Sequence, residues 1–270
     1  MSDNFRSYLE TKGEIFRSFA DQDSGCISYG VKIAGQKYFI KFSNEARGIA
    51  SLQRARLFGQ QVQHSALAKF HGLFPMPTEL GLALQYNWLD GEVLYDYTRF
   101  TSEERQTHPK CAHVRFRALP LAKRLKSLDV IYTFHLELAK TGYIAVDFYD
   151  GCVIYDFEKD KTYLCDMDEY QRAPFILSKE RLPGSSRFMA PEEFQRGAKL
   201  DGVTNVYTLG KMAAVLLGDS TGAINNWSGT ESMAKVIERA TRSERRERYP
   251  SVADFVRAWQ QAVGQHPDRS

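Results

Sequence analysis

Residues 13–42 alternate between apolar and polar side chains, with the two-residue period of β-strands. Between residues 13 and 42 the alternation is interrupted at Gly25, Gly30 and Gly35, and it ends in the stretch K37-Y38-F39-I40-K41-F42. Tight turns favour glycine, because glycine adopts backbone conformations that are closed to other residues. The pattern therefore predicts three antiparallel strands joined by tight turns.

The spacing of apolar residues changes in the next segment. In residues 46–62 the apolar positions recur at near-helical spacing, which predicts one helix. Residues 66–74 and 80–86 then form two apolar runs, separated by the turn-rich P75-M76-P77-T78, and each run predicts a strand. The N-terminal part of the chain is therefore expected to be a five-stranded sheet with one helix.

The second part of the chain is mainly helical in pattern. Apolar and aromatic side chains recur every three or four residues between 119 and 138, which predicts a buried helix that ends near Gly142. Residues 153–157 and 162–165 flank the polar turn E158-K159-D160-K161 and predict a β-hairpin. Further helices are expected around residues 203–217, 231–242 and 251–263. The predicted fold class is α+β, with a small β-rich part before a larger helical part.

Composition and charge exclude several classes of function. The chain has 270 residues, of which 43% are hydrophobic, so it can bury a substantial core. Its formal net charge is only +3, and basic residues are interleaved with acidic ones, as in residues 243–248, where we expect a solvated helix end. A nucleic-acid partner is not expected, because such surfaces need one-sided positive charge. The sequence has neither a long apolar run nor a signal-peptide pattern, so no membrane partner and a cytoplasmic location are expected.

Two acidic motifs flank the predicted hairpin. They are A145-V146-D147-F148-Y149-D150-G151-C152 before it and C165-D166-M167-D168 after it. Because Asp147 precedes the first hairpin strand and Asp166 follows the second, the hairpin should bring both carboxylates to the same end of the molecule. In isolation, each aspartate would equally suit an ordinary turn, where its side chain bonds to the backbone.

The order of these elements and motifs resembles the protein-kinase fold. Lys41 in Y-F-I-K resembles the strand-three lysine of V-A-I-K, Asp147 resembles the aspartate of H-R-D, and Asp166 resembles that of D-F-G. The stretch M189-A190-P191-E192 contains A-P-E. On these motifs the chain is identified as a divergent member of the eukaryotic-like (bacterial) serine/threonine protein kinase family, with a resemblance that covers about residues 13–263.

The resemblance implies a bilobal protein-kinase-like fold that uses ATP and Mg²⁺. The implied divisions are an N-lobe at residues 1–86, a hinge at 87–92 and a C-lobe at 93–270. Lys41 would hold the nucleotide phosphates as a point cation, and Asp166 would present a hard oxygen to Mg²⁺. Asp147 would be catalytic, accepting or orienting the proton of the attacking hydroxyl.

The resemblance also places the nucleotide base and the phosphate loop. Leu84 would be the gatekeeper, and the backbones of Gln85 and Asn87 would contact the adenine. Where the family carries G-x-G-x-x-G, this chain has only Gly25 before the strand resumes at residue 27. Backbone amides near Gly25 could still cradle a phosphate.

A protein acceptor is implied by the segment G184-S185-S186-R187-F188-M189-A190-P191-E192. It resembles the substrate platform of protein kinases, in which Glu192 would pair with an arginine of the large lobe, here Arg248. Small-molecule kinases of the aminoglycoside type generally lack this platform. The implied acceptor is therefore a serine or threonine hydroxyl of a protein.

Several positions depart from the family pattern around the phosphates. Asp21 and Asp23 add negative charge to the phosphate loop. The helix glutamate that normally pairs with the strand lysine is missing, because Ala55 occupies the expected position. Either Glu45, at the start of the helix, takes its place, or Lys41 lacks a carboxylate partner.

Other departures affect the metal site and the catalytic loop. Cys152 replaces the asparagine that binds a second Mg²⁺, and a thiol is too soft to be a good ligand for this cation. Asp150 and Asp168 are the two candidates for the missing oxygen. Asn205 replaces an aspartate that braces the catalytic loop, and its amide oxygen can still accept backbone hydrogen bonds.

These departures leave three functions open. The first is an ATP-dependent protein kinase acting on serine or threonine. The second is a pseudokinase, a nucleotide-binding or scaffolding module with little transfer activity. The third is a small-molecule phosphotransferase.

Overall fold

The chain has an α+β fold and divides into two compact units, Met1–Asp90 and Gly91–Ser270. The structure is a computed structural model that describes residues 2–19, 25–219, 221, 224 and 226–264, apart from the side chains of Ser2 and Asp3. The division falls inside the segment 87–92 that was expected to be a hinge. Long strands are concentrated in the first unit and long helices in the second.

The first unit is built on a five-stranded antiparallel sheet, which confirms the prediction. Its strands are β1 (Glu14–Phe19), β2 (Ile27–Ile33), β3 (Gln36–Ser43), β4 (Phe70–Leu73) and β5 (Leu82–Asn87). They lie in the order β1-β2-β3-β5-β4 across the sheet. The helices are α1 (Ser2–Glu10) and α2 (Ala46–Gln61), with a short 3₁₀ turn at Thr78–Leu80.

Helix α1 departs from the prediction of a single helix in this unit. Phe5 and Leu9 lie one turn apart on α1, and both are fully buried. The ring of Phe5 stacks on that of Phe42 in β3, with centroids 3.8 Å apart and planes 7° apart. A helix of nine residues is marginal in water by itself. Burial of its apolar side chains, at about 1.5–3 kcal/mol each, therefore stabilises it on the sheet.

The two faces of the sheet carry different helices. Along β3, Ile40 and Phe42 belong to the core that contains α1, and Lys41 between them points to the opposite face, because strand side chains alternate. Leu84 of β5 lies directly across from Lys41 and so shares its face. Leu84 packs with Leu52 of α2. Lys41 is thus on the α2 side of the sheet.

The second unit contains longer helices and short strands. Its described helices are α3 (Glu104–Thr107), α4 (Ala112–Arg117), α5 (Leu121–Lys140), α6 (Gly202–Leu217), α7 (Glu231–Ala240) and α8 (Val252–Gly264). Its described strands are β6 (Glu92–Val93), β7 (Tyr143–Ile144), β8 (Val153–Asp156), β9 (Lys161–Leu164), β10 (Gln171–Arg172), β11 (Phe175–Ile176) and β12 (Lys199–Leu200). One-turn 3₁₀ helices lie at Asp150–Cys152, Pro191–Phe194 and Arg245–Glu247. Of the helices described in either unit, none combines the length and the apolar character needed to cross a membrane.

Helices α5, α6 and α8 pack together around one tyrosine. Tyr132 of α5 meets the rings of Phe255 and Trp259 of α8 edge-on, at centroid distances of 5.1 and 5.6 Å. Its hydroxyl donates a hydrogen bond to the carbonyl of Leu209 in α6, 3.1 Å away. The apolar spacing that predicted a buried helix between residues 119 and 138 therefore marks the centre of this core.

The predicted hairpin is confirmed as β8 and β9. The two strands pair in register from Val153 with Leu164 to Asp156 with Lys161. The residues just before β8 and just after β9 therefore leave the hairpin from its open end, away from the turn. This geometry sets the position of the two acidic motifs.

Candidate active site

Asp147 and Asp166, the two predicted aspartates, both have a left-handed backbone. Their φ angles are 60° and 63°. This conformation is uncommon outside glycine, although aspartate tolerates it better than most residues. It stores strain on the order of 1–3 kcal/mol and concentrates at functional sites, where the surrounding structure enforces it. The paired conformation makes this end of the hairpin the candidate active site.

A buried thiol lies close to both aspartates. Cys152 is fully buried, and its Sγ donates a hydrogen bond to the backbone carbonyl of Asp147 across 3.3 Å. Burial raises the pKa of this thiol, and the negative charges of Asp166 and Asp147 raise it further. The hairpin has therefore brought the two carboxylates around one side chain. Cys152 stays a neutral thiol, which suits neither a nucleophile nor a magnesium ligand.

Helices α5 and α6 hold the loop that carries Asp147. The Oδ1 of Asn205 in α6 accepts a hydrogen bond from the amide of Ala145 at 2.7 Å, and its Nδ2 donates to the carbonyl of the same residue at 2.8 Å. This confirms the predicted brace, and the amide makes two bonds where an ionised carboxylate could only accept. Phe148 packs against the ring of His135 in α5, with centroids 4.5 Å apart.

Asp150, a predicted metal ligand, lies in a buried ion pair. It is completely buried, and its Oδ1 accepts a hydrogen bond from Nη2 of Arg187 at 2.7 Å. Its Oδ2 lies 3.7 Å from Nδ1 of His113. Burial raises the pKa of the Asp150 carboxyl, and Arg187 opposes that shift only in part. Oδ1 is thus bound to Arg187, whereas Oδ2 has no hydrogen-bond partner among the described residues, and the role of Asp150 as a magnesium ligand stays a prediction.

The sequence did not predict that His113 and Arg187 lie beside Asp150. His113 is buried, and within the described part of the chain neither of its ring nitrogens has a hydrogen-bond partner. Burial lowers the pKa of His113 to about 3, and the positive charges of Arg117 and Arg187 contribute. His113 is therefore neutral at neutral pH, and Arg187 supplies the positive charge beside Asp150.

The segment before A-P-E lies against Asp147. Gly184 has a φ of 135°, a region that only glycine populates readily. A Cβ atom at this position would lie 3.3 Å from Oδ1 of Asp147, so the bare backbone approaches the carboxylate directly. Together with the bond from Arg187 to Asp150, this contact holds residues 184–187 against the loop that carries Asp147.

The predicted ion pair between Glu192 and Arg248 is confirmed. Nη1 and Nη2 of Arg248 donate to the two carboxylate oxygens at 2.8 and 2.9 Å, in a bidentate arrangement. Arg248 is 2% exposed, and it also donates to the backbone carbonyls of residues 203, 242 and 243. Arg245 adds a second guanidinium to Glu192 at 2.6 Å, which no motif predicted.

This network corrects the expectation of a solvated helix end at residues 243–248. Helix α7 ends at Ala240, and the one-turn helix Arg245–Glu247 follows it. Arg245 and Arg248 turn inward and bind the distant carboxylate of Glu192. A run of interleaved charges does not show whether each charged residue pairs with a neighbour in sequence or with a residue far away in the chain.

Glu193 next to this network makes stability depend on pH. Burial raises the pKa of its carboxyl to about 8, although Oε2 accepts a 2.6 Å hydrogen bond from the amide of Ala190. The ordinary value is 4.5, so between these two values the folded state binds a proton that the unfolded state has released. The free energy of unfolding therefore falls as the pH rises through this window.

Replacing Glu193 with Gln should abolish the fall in unfolding free energy at high pH. The amide side chain of Gln stays neutral and can still accept the hydrogen bond from the amide of Ala190. We expect the variant to exceed the wild type in unfolding free energy by more than about 1 kcal/mol at about pH 9 and to match it at about pH 5. Urea unfolding at both values measures the difference, with the exposed Glu180→Gln as the control. An equal difference at the two pH values would contradict the assignment.

Lys41 in the first unit is 5% exposed. Its neighbours on the adjacent strands are Ser28 in β2 and Leu84 in β5. Ala55, which occupies the position of the missing helix glutamate, lies in the apolar core with Leu84. Glu45 is the exposed N-cap residue of α2. The pairing of Lys41 with Glu45 stays a prediction.

Gly25, the predicted phosphate-loop glycine, is tied to the start of α2. Its φ is 73°, and its carbonyl accepts a hydrogen bond from the hydroxyl of Ser43 at 2.8 Å. Gly48 of α2 approaches so closely that a Cβ there would lie 2.5 Å from this carbonyl oxygen. Asp21 and Asp23 lie outside the described residues, and their effect on the loop stays a prediction.

The three residues expected to contact the base all lie in β5. Leu84 is fully buried, and the backbone of Gln85 is flanked by β3 on one side and β4 on the other. The amide of Asn87 donates to the carbonyl of Lys69 at 2.9 Å. The Asn87 amide is thus bound within the first unit, and adenine contacts through the backbones of Gln85 and Asn87 stay a prediction.

The donor set fits a nucleotide-bound magnesium ion better than a metal centre made by the protein alone. Across residues 2–19, 25–219, 221, 224 and 226–264, no group of three or more His, Cys, Asp or Glu side chains is arranged to hold a metal ion. Magnesium bound with a nucleotide needs only one or two carboxylates, because phosphates and waters complete its shell. Asp166 meets that requirement.

Searches against protein-family models and curated proteins found no match to this chain.

Proposed function

We propose that this chain is a divergent protein kinase with a bilobal fold, which transfers the γ-phosphoryl group of ATP to a serine or threonine hydroxyl of a protein. The observation that carries the proposal is the pair of left-handed aspartates, Asp147 and Asp166, around one buried thiol. Phosphoryl transfer requires positioning and charge neutralisation more than covalent chemistry by the protein. Carboxylates on a constrained backbone and a buried lysine, Lys41, are suited to those tasks.

In this proposal Asp166 holds Mg²⁺ together with the nucleotide phosphates. When bound, Mg²⁺ neutralises charge on the phosphate oxygens. Asp150 is not assigned to the metal in this proposal, because its Oδ1 is bound to Arg187 in a buried ion pair. Asp168, a further buried carboxylate of the same motif, is the remaining candidate for a second protein oxygen.

Asp147 orients the acceptor hydroxyl and accepts its proton. The backbone at Gly184 lies beside this carboxylate, and no side chain intervenes. The ion pair of Arg187 with Asp150 and that of Glu192 with Arg248 anchor the segment between them. An anchored segment next to the base favours a polypeptide acceptor over a sugar or choline.

A pseudokinase is the second candidate, and Cys152 is the observation that favours it. This thiol replaces a metal-binding amide, and its pKa is raised, so it offers no hard oxygen. With Asp150 also committed elsewhere, the site has fewer metal ligands than an efficient transferase uses. A small-molecule phosphotransferase has less support, because residues 184–192 are anchored as a platform.

Nucleotide binding tests the first requirement of both candidates. We expect Lys41→Met to weaken binding of MgATP by at least about tenfold, because a buried charge-assisted contact to phosphate is lost. Isothermal titration calorimetry on the whole chain measures the affinity. Lys37→Met is the matched control, since Lys37 lies on the same strand and the same face but is half exposed.

Equal affinities for the two lysine variants would contradict the assignment of Lys41. Absence of MgATP binding by the wild-type chain would exclude both the kinase and the nucleotide-binding form of the pseudokinase.

A further inference from the structure

A cavity in the second unit lies beside the charged network of Glu192. Its volume is about 480 Å³, and it is lined by Val203, Arg239, Arg245, Arg246, Arg248 and Pro250. Four of these six described residues are arginines, and none is a carboxylic acid. No residue proposed above to contact the nucleotide or the acceptor hydroxyl is among them. The cavity is therefore a separate feature of the molecule.

Two of the four arginines are neutralised within the protein. Arg248 makes five hydrogen bonds, which uses every donor of a guanidinium. Arg245 donates to Glu192 and to Asp201, each at 2.6 Å. Two guanidinium groups thus face two carboxylates, and their charges cancel. This pair forms a rigid wall of the cavity rather than a source of net charge.

Arg239 and Arg246 have no carboxylate partner in the described part of the chain. Arg239 lies over the ring of Tyr249, 4.3 Å from its centroid, and its Nε donates to the backbone carbonyl of Glu247 at 3.4 Å. Arg246 is exposed and makes no hydrogen bond or ion pair with a described residue. Two positive charges therefore remain uncompensated on one concave surface.

Two acidic side chains near the cavity, Glu247 and Asp254, already have partners. Glu247 pairs with Arg242 at 3.5 Å. Asp254 accepts hydrogen bonds from Ser251 and Arg257, and these bonds lower the pKa of its carboxyl. The charge of Arg239 lowers this pKa further, without a hydrogen bond between the two side chains. The excess charge of the cavity is therefore available to a ligand.

We propose that this cavity binds a phosphate monoester in its dianionic form. Two uncompensated guanidinium groups match the charge of such a dianion, and the planar donor fork of arginine matches phosphate oxygens. Val203 and Pro250 supply apolar wall for the group that carries the phosphate. The volume lies in the range of roughly 300–1,000 Å³ that small ligands occupy in proteins. The inference does not rest on the proposed kinase activity.

Calorimetric titration of the whole chain with O-phosphoserine tests the proposal. One arm uses the free amino acid and the other a short glycine-rich peptide that contains it, which distinguishes a small phosphorylated molecule from a phosphorylated protein. We expect Arg246→Gln and Arg239→Gln each to weaken binding by at least about fivefold. The matched control, Arg196→Gln, removes a charge from an exposed arginine outside the cavity and should stay within about twofold of the wild type.

Lys41→Met should leave phosphoserine binding unchanged, which separates this cavity from the nucleotide site. Failure of both phosphoserine arms to bind, or equal affinity in Arg246→Gln and the wild type, would overturn the proposal. A thermal melt of each variant verifies that the exposed substitutions leave the fold intact.

Discussion

Replacing Asp147 with Asn should lower the rate of γ-phosphoryl transfer by about 10²–10⁴-fold, the usual contribution of a positioned general base. The amide has nearly the same shape but cannot take up the proton of the acceptor hydroxyl. Asparagine also tolerates the left-handed backbone found at this position, so the loop should keep its conformation. Magnesium-dependent transfer from ATP labelled at the γ-phosphate to generic protein acceptors measures the rate.

Asp160→Asn is the matched control for this substitution. Asp160 is also an aspartate with a left-handed backbone, at a φ of 50°, but it lies in the turn of the β8–β9 hairpin. Its carboxylate binds Lys123 and Tyr155, and its loss should leave transfer within about twofold of the wild type. Unchanged transfer in Asp147→Asn would remove the proposed base. A wild-type chain that binds MgATP without transfer would instead establish the pseudokinase.

Replacing Arg248 with Met should lower the free energy of unfolding by about 3–5 kcal/mol, the usual loss when one partner of a buried ion pair is removed. Glu192 would keep only Arg245, and three backbone carbonyls would lose their donor. Burial raises the pKa of the Glu192 carboxyl, but the hydrogen bond and charge of Arg248 overcome that effect and lower it. Urea unfolding at neutral pH measures the difference.

Arg257→Met controls for the loss of an arginine from the same unit. Arg257 is 66% exposed and pairs with Asp254 three residues earlier, so its removal should cost less than about 1 kcal/mol. Lysine at position 248 cannot form the bidentate fork, so Arg248→Lys should also be destabilised. If Arg248→Met loses no more unfolding free energy than Arg257→Met, the ion-pair network of Glu192 does not stabilise the fold.

Much of the fold follows from hydrophobic period, which is a local signal. The five strands of the first unit and helices α2 and α5 appear where the spacing of apolar residues predicts them. Helix α1 does not, because it is short and takes its stability from the contact of Phe5 with Phe42. That contact joins residues far apart in sequence, and no local pattern contains it.

The candidate site also contains some residues that the sequence could predict and others that it could not. Asp147 and Asp166 could be found because a hairpin of predictable register lies between them. Arg187 and His113 could not, because their relation to Asp150 depends on how separate loops and helices pack. Asp150 itself was assigned to a metal from proximity in sequence, and its burial with Arg187 was invisible at that level.

The contacts of Gly25 join its turn to the start of helix α2 in the first unit. Through Ser43 and Gly48 the turn at Gly25 and the first turn of α2 are packed as one body. A ligand seated at that turn and a partner seated on α2 would therefore act on a common element. Thermodynamic reciprocity then requires that any effect of the ligand on the affinity of the partner be matched, by the same factor, by the effect of the partner on the ligand.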